Sequence, residues 1–199
     1  MLQCWLEIMT RLLVYLISAS LFIIGAFIIF RIFVRRDYRR KRQLTPFSSF
    51  LELLICTCYF AFPYIYNPPC WAIIWSCQSP VSPALKVIGL ILVVAGAAVA
   101  FPAMIWLGIR RSFGQESNVL KQTGFYRFTR NPQILGGALM VIGVAVLWPS
   151  WYALGWVILA AVFHLMVITE EENLQNGYGE EYMQYCKRVP RYIGVPQEK

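Results

Sequence analysis

Charged residues are scarce in this sequence. Asp, Glu, Lys and Arg make up 14% of the 199 residues, whereas 58% are hydrophobic and the mean hydropathy is +0.55. Because soluble domains contain about a quarter charged residues, the composition excludes an ordinary soluble protein. Histidine occurs once, as His164, and the six cysteines show no metal-ligand spacing. We therefore expect an integral membrane protein without a metal site.

Internal repeats, low-complexity tracts and an interdomain linker are also lacking. We therefore predict a single domain over residues 1–199, with three spans in residues 1–107. Residues 108–199 would supply a connecting loop, a helical hairpin and a polar tail.

Five apolar segments approach the roughly 20 residues that a transmembrane helix needs. They cover residues 12–34, 48–66, 83–106, 132–148 and 151–169. The first is too long for a signal peptide and no small-residue cleavage site follows before Arg35, so we expect it to be retained. After the fifth, apolar and aromatic residues recur at helical spacing, which predicts an interfacial amphipathic helix. The predicted fold is an all-α membrane helical bundle.

The net charge of +8 could indicate a nucleic-acid partner, but its distribution argues for a membrane surface instead. Seven Lys and Arg lie in residues 31–42, five in 110–130 and four in 187–199. Five spans place these segments on one face, which the positive-inside rule makes cytoplasmic, with the N-terminus outside. Basic residues beside a span hold anionic lipid headgroups, so we expect membrane lipids as partners and no nucleic acid.

Small residues recur on one face of three spans, which predicts close helix packing in lipid. They are Gly89, Gly96, Ala100, Ala103, Gly136, Gly143, Ala153 and Ala160. Cys56 and Cys58 lie inside the second span and are interpreted as small apolar residues. Cys70 and Cys77 share a predicted outer loop, and the sequence leaves a disulfide between them open.

Arg130, Asn131 and Pro132 precede the fourth span. Asn131 is predicted as its N-cap and Pro132 as its first helical residue. Capping does not explain Arg130, or Gly136 and Gly137 one turn further on. Free backbone N–H groups, a positive helix end and the space left by the missing glycine side chains would suit a carboxylate or a ribose here.

Glu170, Glu171 and Glu172 directly follow the fifth span. They could simply mark the cytoplasmic boundary. Carboxylates at a helix C-terminus oppose the helix dipole, however, so a cation among them is the better explanation. His164 is interpreted as an interhelical hydrogen-bonding residue, with catalysis as the alternative. Glu52 lies inside a span near its end and is interpreted as a boundary residue.

Four motifs of the C-terminal half recur together: LKQTGFYRFTRNPQILG over residues 120–136, the Glu170-Glu171 pair, YGEEY over 178–182 and RVPR over 188–191. As a set they resemble the isoprenylcysteine carboxyl methyltransferase and phospholipid methyltransferase family. Their order and spacing are similar to those of the family. The resemblance implies an integral membrane enzyme that uses S-adenosylmethionine to methylate a lipophilic or lipid-anchored carboxylate or amine.

On this basis the predicted cofactor-binding residues are Gln122, Gly124, Tyr126, Arg130, Asn131, Pro132, Ile134, Gly136, Glu170 and Glu171. The catalytic candidates are Glu171, Arg191 and His164. The sequence departs from the family at Ile134, where tyrosine is usual, and has Asn131 where histidine is most common. The isoleucine removes a ring and a hydroxyl, which puts activity or substrate choice in question.

The chemistry of the cofactor suits these residues. Glu170 and Glu171 match its sulfonium and ammonium groups, and Arg130 matches its carboxylate. We therefore expect the cytoplasmic ends of the fourth and fifth spans to meet and form one cavity. Rate would come from alignment of the reactants. A carboxylate acceptor needs no base, whereas an amine must lose a proton, with Glu171 or His164 as the candidate base. Arg188 or Arg191 would hold an acidic group of the acceptor.

Two alternatives remain open from the sequence. Membrane sterol reductases have a related arrangement and use NADPH, but typically carry an acidic residue just after the helix-start glycine, where this chain has Gly137. A catalytically inactive scaffold or lipid-binding protein is the second alternative, and Ile134 is the residue that favours it.

Overall fold

The computed structural model describes residues 2–66, 79, 81–108 and 120–194, and all regular structure in these ranges is helical. Several of the helices are apolar and long enough to cross a bilayer, which confirms the prediction of an all-α integral membrane protein. The open question of a Cys70–Cys77 disulfide lies outside the described residues.

The first span is part of a longer helix than the sequence predicts. Helix α1 (Leu2–Phe27) continues through a π-helical segment (Ile28–Val34) into α2 (Arg35–Lys41). The chain leaves α2 at Arg42, whose φ of 57° lies in the left-handed region. We refer to residues 2–41 as the long N-terminal helix.

Helix α3 (Pro46–Tyr66) returns antiparallel to the long N-terminal helix. The buried Asp37 carboxylate holds the connection between them: it accepts hydrogen bonds from the Thr45 backbone N–H at 3.1 Å, from the Thr45 hydroxyl and from the Ser48 hydroxyl at 2.6 Å. These bonds satisfy a charge that would otherwise be costly to bury.

Helices α4 (Pro83–Leu107) and α5 (Pro132–Leu147) pack antiparallel through glycines. Gly89 lies against Gly143, and Gly96 lies against Gly136. A Cβ atom built on Gly96 would lie 2.5 Å from the Gly136 carbonyl oxygen, so the two backbones are in direct contact. The close packing predicted from the small-residue stripes is confirmed for this pair.

The fifth span also continues beyond its predicted end at residue 169. Helix α6 (Trp151–Leu159), a 3-10 turn (Ala160–Val162) and α7 (Phe163–Tyr178) form one rod, which we call the long C-terminal helix. The three glutamates therefore lie within a helix and not at its C-terminus, so the helix-dipole argument for a bound cation was wrong. Loss of hydropathy marks where a helix leaves lipid, whereas its end is set here by Gly179, with φ of 51°. Helix α8 (Glu180–Arg188) follows.

The two long helices run parallel. Tyr15 lies against Tyr152 near one end, with ring centroids 5.0 Å apart, and Arg35 pairs with Glu172 near the other. Parallel first and last spans require an odd total of crossings, so α5 must count as a crossing even though its 16 residues extend only about 24 Å. This direction supports the predicted five spans.

An aromatic core joins the long helices to α3. Tyr59 stacks on Trp156 with ring centroids 5.4 Å apart, and Phe163 meets Tyr59 edge-on at 5.0 Å. The Tyr59 hydroxyl donates to the Trp156 carbonyl at 3.1 Å, and the Trp156 indole donates to the Tyr59 carbonyl at 3.0 Å. Both polar atoms of the pair are thus satisfied inside the bundle. The core positions α7 against α2 and α3, where the site lies.

Candidate functional site

Glu170, Glu171 and Glu172 point in three directions, because successive residues of a helix are rotated by about 100°. Glu172 faces the long N-terminal helix. Its carboxylate pairs with Arg31 at 2.9 Å and with Arg35 at 2.6 Å. Arg31 also donates to the Thr169 hydroxyl at 3.1 Å. Glu172 therefore holds two helices together.

Glu171 faces the start of α5 and the C-terminal tail. Its Oε1 lies 2.9 Å from Nη1 of Arg130, and its Oε2 lies 2.7 Å from Nη2 of Arg191. Arg191 also donates from Nε to both oxygens, at 3.0 and 3.1 Å. Hydrogen bonding to Glu171 raises the pKa of the Arg191 guanidinium above its usual value. The predicted neighbours Arg130 and Glu171 thus meet directly, and the cations beside Glu171 are the protein's own.

Glu170 differs from both neighbours. It is partly buried and makes no hydrogen bond or ion pair with any other described residue. Its charge acts on the hydroxyls of Tyr38 and Tyr126 and on the carboxyl of Glu52. Of the three glutamates, this one retains the capacity to bind a ligand.

Arg130 is enclosed by α7 and α8. Its Nη1 donates to the Tyr182 hydroxyl at 3.2 Å and contacts Cys186 Sγ at 2.7 Å, while its backbone N–H donates to the Pro190 carbonyl at 3.0 Å. Its buried Nε has no hydrogen-bond partner among the described residues. The side-chain bonds of Arg130 in the described part of the chain all come from Nη1, so its other N–H groups can still hold an anion.

The C-terminal tail is bonded to the start of α5. The Arg191 carbonyl accepts from the Thr129 hydroxyl and from Asn131 Nδ2, each at 3.1 Å. Asn131 occupies the predicted N-cap position, but its side chain makes no capping hydrogen bond and is used for the tail instead. Pro132 begins α5 as predicted and is fully buried.

Tyr182 and Tyr185 are buried at 3% exposure, so the aromatic face of α8 packs against protein and not at headgroup depth as the sequence suggested. They pack with Val189 and with Leu120, Leu174, Tyr178 and Cys186. The Tyr185 hydroxyl donates to the Tyr126 carbonyl at 2.7 Å. Amphipathic periodicity reveals an apolar face but not whether lipid or protein covers it.

Substituting Tyr185→Phe should reduce the free energy of unfolding by about 1 kcal/mol, because the buried Tyr126 carbonyl loses its hydrogen bond while the ring packing is retained. Thermal denaturation in detergent measures this change. A variant as stable as wild type would show that this bond does not secure α8.

Gln122 and Gly124, which were also predicted to bind the cofactor, lie in the loop before α5. Gln122 donates to Glu181 at 3.1 Å and accepts from Arg188 at 2.9 Å. Gly124 has φ of 64°, and a Cβ there would lie 2.8 Å from the Trp106 indole nitrogen. Arg188, proposed as a possible anchor for the acceptor, is thus engaged with Gln122. Direct cofactor contact by Gln122 and Gly124 stays a prediction.

Tyr126 is buried, and its hydroxyl has no hydrogen-bond partner among the described residues. Burial raises the pKa of the Tyr126 phenol, and the charge of Glu170 raises it further. The hydroxyl therefore stays protonated and is available as a donor. This is the arrangement expected of a group that meets a ligand.

Gly136 and Ile134 lie on α5. A Cβ on Gly136 would be 2.6 Å from the Ala100 backbone nitrogen, so this glycine serves the packing of α4 on α5. Its missing side chain, interpreted from the sequence as room for a ligand, is filled by α4. Ile134 is partly buried in the first turn of α5.

His164 is exposed, and its Nδ1 lies 2.8 Å from the Tyr192 hydroxyl. The expected hydrogen bond is present, but the partner is in the C-terminal tail and not on another membrane helix. Burial raises the pKa of the Tyr192 phenol. Through its hydrogen bond to Tyr192, His164 helps to hold the C-terminal tail, which carries Arg191.

Glu52 was interpreted as a boundary residue, yet the structure places it 8% exposed, with Oε2 lacking any hydrogen-bond partner in the described part of the chain. A boundary residue would face water. The available signal was the acidic residue inside a span, which is costly and therefore indicates function.

The residues present fit S-adenosylmethionine. Arg130 with its unused donor suits the carboxylate of the cofactor, and Glu170 suits a cationic group. Within the described residues, no group of three or more His, Cys, Asp or Glu could hold a metal ion. The site thus offers one group that binds an anion and one that binds a cation, as a compound that carries both charges requires.

A polar site with ion pairs at one end of a bundle of apolar helices is characteristic of a membrane protein that binds a polar ligand. Residues 85–181 match the family described as phospholipid methyltransferase. This match, over just under half of the chain, supports the resemblance that the motifs indicated.

A relative supports the same assignment. Over 119 residues, 56% of this chain, the sequence is 34% identical to the Protein-S-isoprenylcysteine O-methyltransferase of Xenopus laevis. The match covers 41% of that protein, so the chain spans less than half the length of this relative. No solved structure matches.

Proposed function

We propose that this protein transfers the methyl group of S-adenosylmethionine to a lipophilic acceptor at the cytoplasmic face of a membrane. The observation that carries the proposal is the convergence of Arg130, Glu170 and Glu171 with the tail residue Arg191. These residues come from segments that are distant in sequence, and three of them belong to the segment that matches the family.

Each side of the site has a separate task. Bound S-adenosylmethionine supplies an electrophilic methyl group. Arg130 and the first turn of α5 would hold its carboxylate, and Glu170 would face a cationic group. Arg191 and Tyr182 position the Glu171–Arg130 pair and leave Glu170 available. The enclosing helices exclude water and hold the acceptor in line, which is catalysis by positioning.

The topology supports the proposed membrane orientation. Arg31, Arg35, Arg130 and Arg191 all lie at the same end of the bundle as the three glutamates. By the positive-inside rule this end is cytoplasmic, with the N-terminus outside and the C-terminus inside. The lipid part of the acceptor would enter between spans and meet the cofactor at this level.

Calorimetry with S-adenosylmethionine on the purified protein in detergent tests the proposal. We expect saturable binding, weakened roughly tenfold or more in Glu170→Gln, because a charge-assisted contact is lost. Glu180→Gln removes the same charge from an exposed position of α8 and should bind like wild type. Absence of binding by the wild type, or binding of NADPH instead, would reject the methyltransferase proposal.

A further inference from the structure

We infer that Glu52 and Glu170 form an anionic recess that receives a protonated amine of a bound ligand. We define the recess by these two carboxyl groups and the hydroxyls of Tyr38 and Tyr126. The inference deepens the proposed function, on which it rests, by naming the chemistry that the site recognises. Glu52 lies on α3, outside the segment that matches the family.

The first argument is an uncompensated buried acid. Glu52 is 8% exposed and its Oε2 meets no hydrogen-bond donor in the described part of the chain. The described charge that acts on it is that of Glu170, which has the same sign. Two like charges in a poorly solvated place are unfavourable, and either protonation or a cation between them relieves the repulsion.

The arginines of the site are directed elsewhere, which is the second argument. Arg31 and Arg35 pair with Glu172, while Arg130 and Arg191 pair with Glu171. Two of the three consecutive glutamates are thus paired, whereas Glu170, whose charge acts on Glu52, is unpaired within the described residues. A cation of a bound ligand would neutralise this remaining glutamate.

The third argument is an unsatisfied hydroxyl. The Tyr126 hydroxyl is buried and has no hydrogen-bond partner in the described part of the chain, and the charge of Glu170 acts on it. A buried donor of this kind is available to a bound ligand. Among the described residues no group of ligating side chains could hold a metal, and an ammonium, which donates up to three hydrogen bonds, matches two carboxylates.

Two sources could supply the amine: the amino-acid end of S-adenosylmethionine, or the headgroup of an amine acceptor. Calorimetry on Glu52→Gln separates them. One arm compares S-adenosylmethionine with 5′-methylthioadenosine, which lacks the amino-acid end. The other compares dodecylamine with dodecanol in the same detergent. Glu7→Gln, at an exposed position of α1, is the control for the change in net charge.

If the cofactor supplies the amine, Glu52→Gln will weaken S-adenosylmethionine binding roughly tenfold to a hundredfold and leave methylthioadenosine unchanged. If the acceptor supplies it, Glu52→Gln will leave cofactor binding unchanged and abolish the preference for dodecylamine over dodecanol. Unchanged binding of all four compounds by Glu52→Gln would overturn the inference.

Folding must be checked separately, because Glu52 is buried. We expect Glu52→Gln to melt at the same temperature as wild type or higher, since it removes an unpartnered buried acid. Tyr126→Phe is a second variant: its lost hydroxyl has no protein partner, so reduced amine binding with unchanged stability would support the recess. If wild type binds dodecylamine but not S-adenosylmethionine, the methyltransferase proposal fails while the recess stands.

Discussion

Replacing Gly96 with alanine will destabilise the protein by roughly 3 kcal/mol. The new methyl group would lie 2.5 Å from the Gly136 carbonyl oxygen and 2.7 Å from the Met140 backbone nitrogen. Neither atom can move without displacing α5, so α4 and α5 must separate. The clash outweighs the gain of about 1 kcal/mol that alanine brings to a helix interior.

The matched control is Gly137→Ala. Nothing lies within 4 Å of a Cβ atom built on Gly137, one residue from the packed Gly136. This variant should therefore be as stable as wild type or slightly more stable. Thermal denaturation in detergent, followed by tryptophan fluorescence, measures both. Equal melting temperatures for the two variants would mean that α4 and α5 are not in backbone contact.

Substituting Glu171→Gln will cost about 3 kcal/mol of stability and abolish cofactor binding, because it leaves Arg130 as an enclosed cation without its counter-charge. Both side chains of that pair are only 12% exposed. Arg191 would also lose its bidentate partner, and the tail that it anchors would detach from the start of α5. The loss of binding would thus follow from loss of position.

Glu172→Gln is the control within the same turn. Its ion pairs with Arg31 and Arg35 are more exposed, at 36% for the glutamate side chain. Exposed pairs contribute up to about 1 kcal/mol, so we expect a smaller loss of stability and retained cofactor binding. Thermal denaturation and calorimetry together decide the outcome. A larger loss of stability and cofactor binding in Glu172→Gln than in Glu171→Gln would contradict the assignment of Glu171 to the site.

The sequence predicted the membrane bundle and the meeting of two helix ends. Hydropathy located the spans, since burial in lipid needs continuous apolar residues, and small-residue spacing identified the faces of α4 and α5. The motifs around Arg130 and Glu171 indicated a common site, and the structure brings the two residues to 2.9 Å.

Partner choice was not predictable from spacing alone. Glu170, Glu171 and Glu172 look equivalent in the sequence, but each faces a different helix and only the fold shows which arginines reach it. Gly136 looked like space for a ligand, although α4 occupies that space. The burial of Glu52 depends on contacts between distant segments, which hydropathy does not report.

The ion pairs of Glu172 have a practical consequence for protein engineering. Arg31 and Arg35 pair with Glu172, and Glu52 lies on α3, so helices outside the segment that matches the family contribute to the site. A hybrid that joins residues 83–199 to foreign leading helices would lose the Glu172 ion pairs at a small cost in stability, but it would retain its ligand chemistry only if the foreign helices offer an acid in place of Glu52.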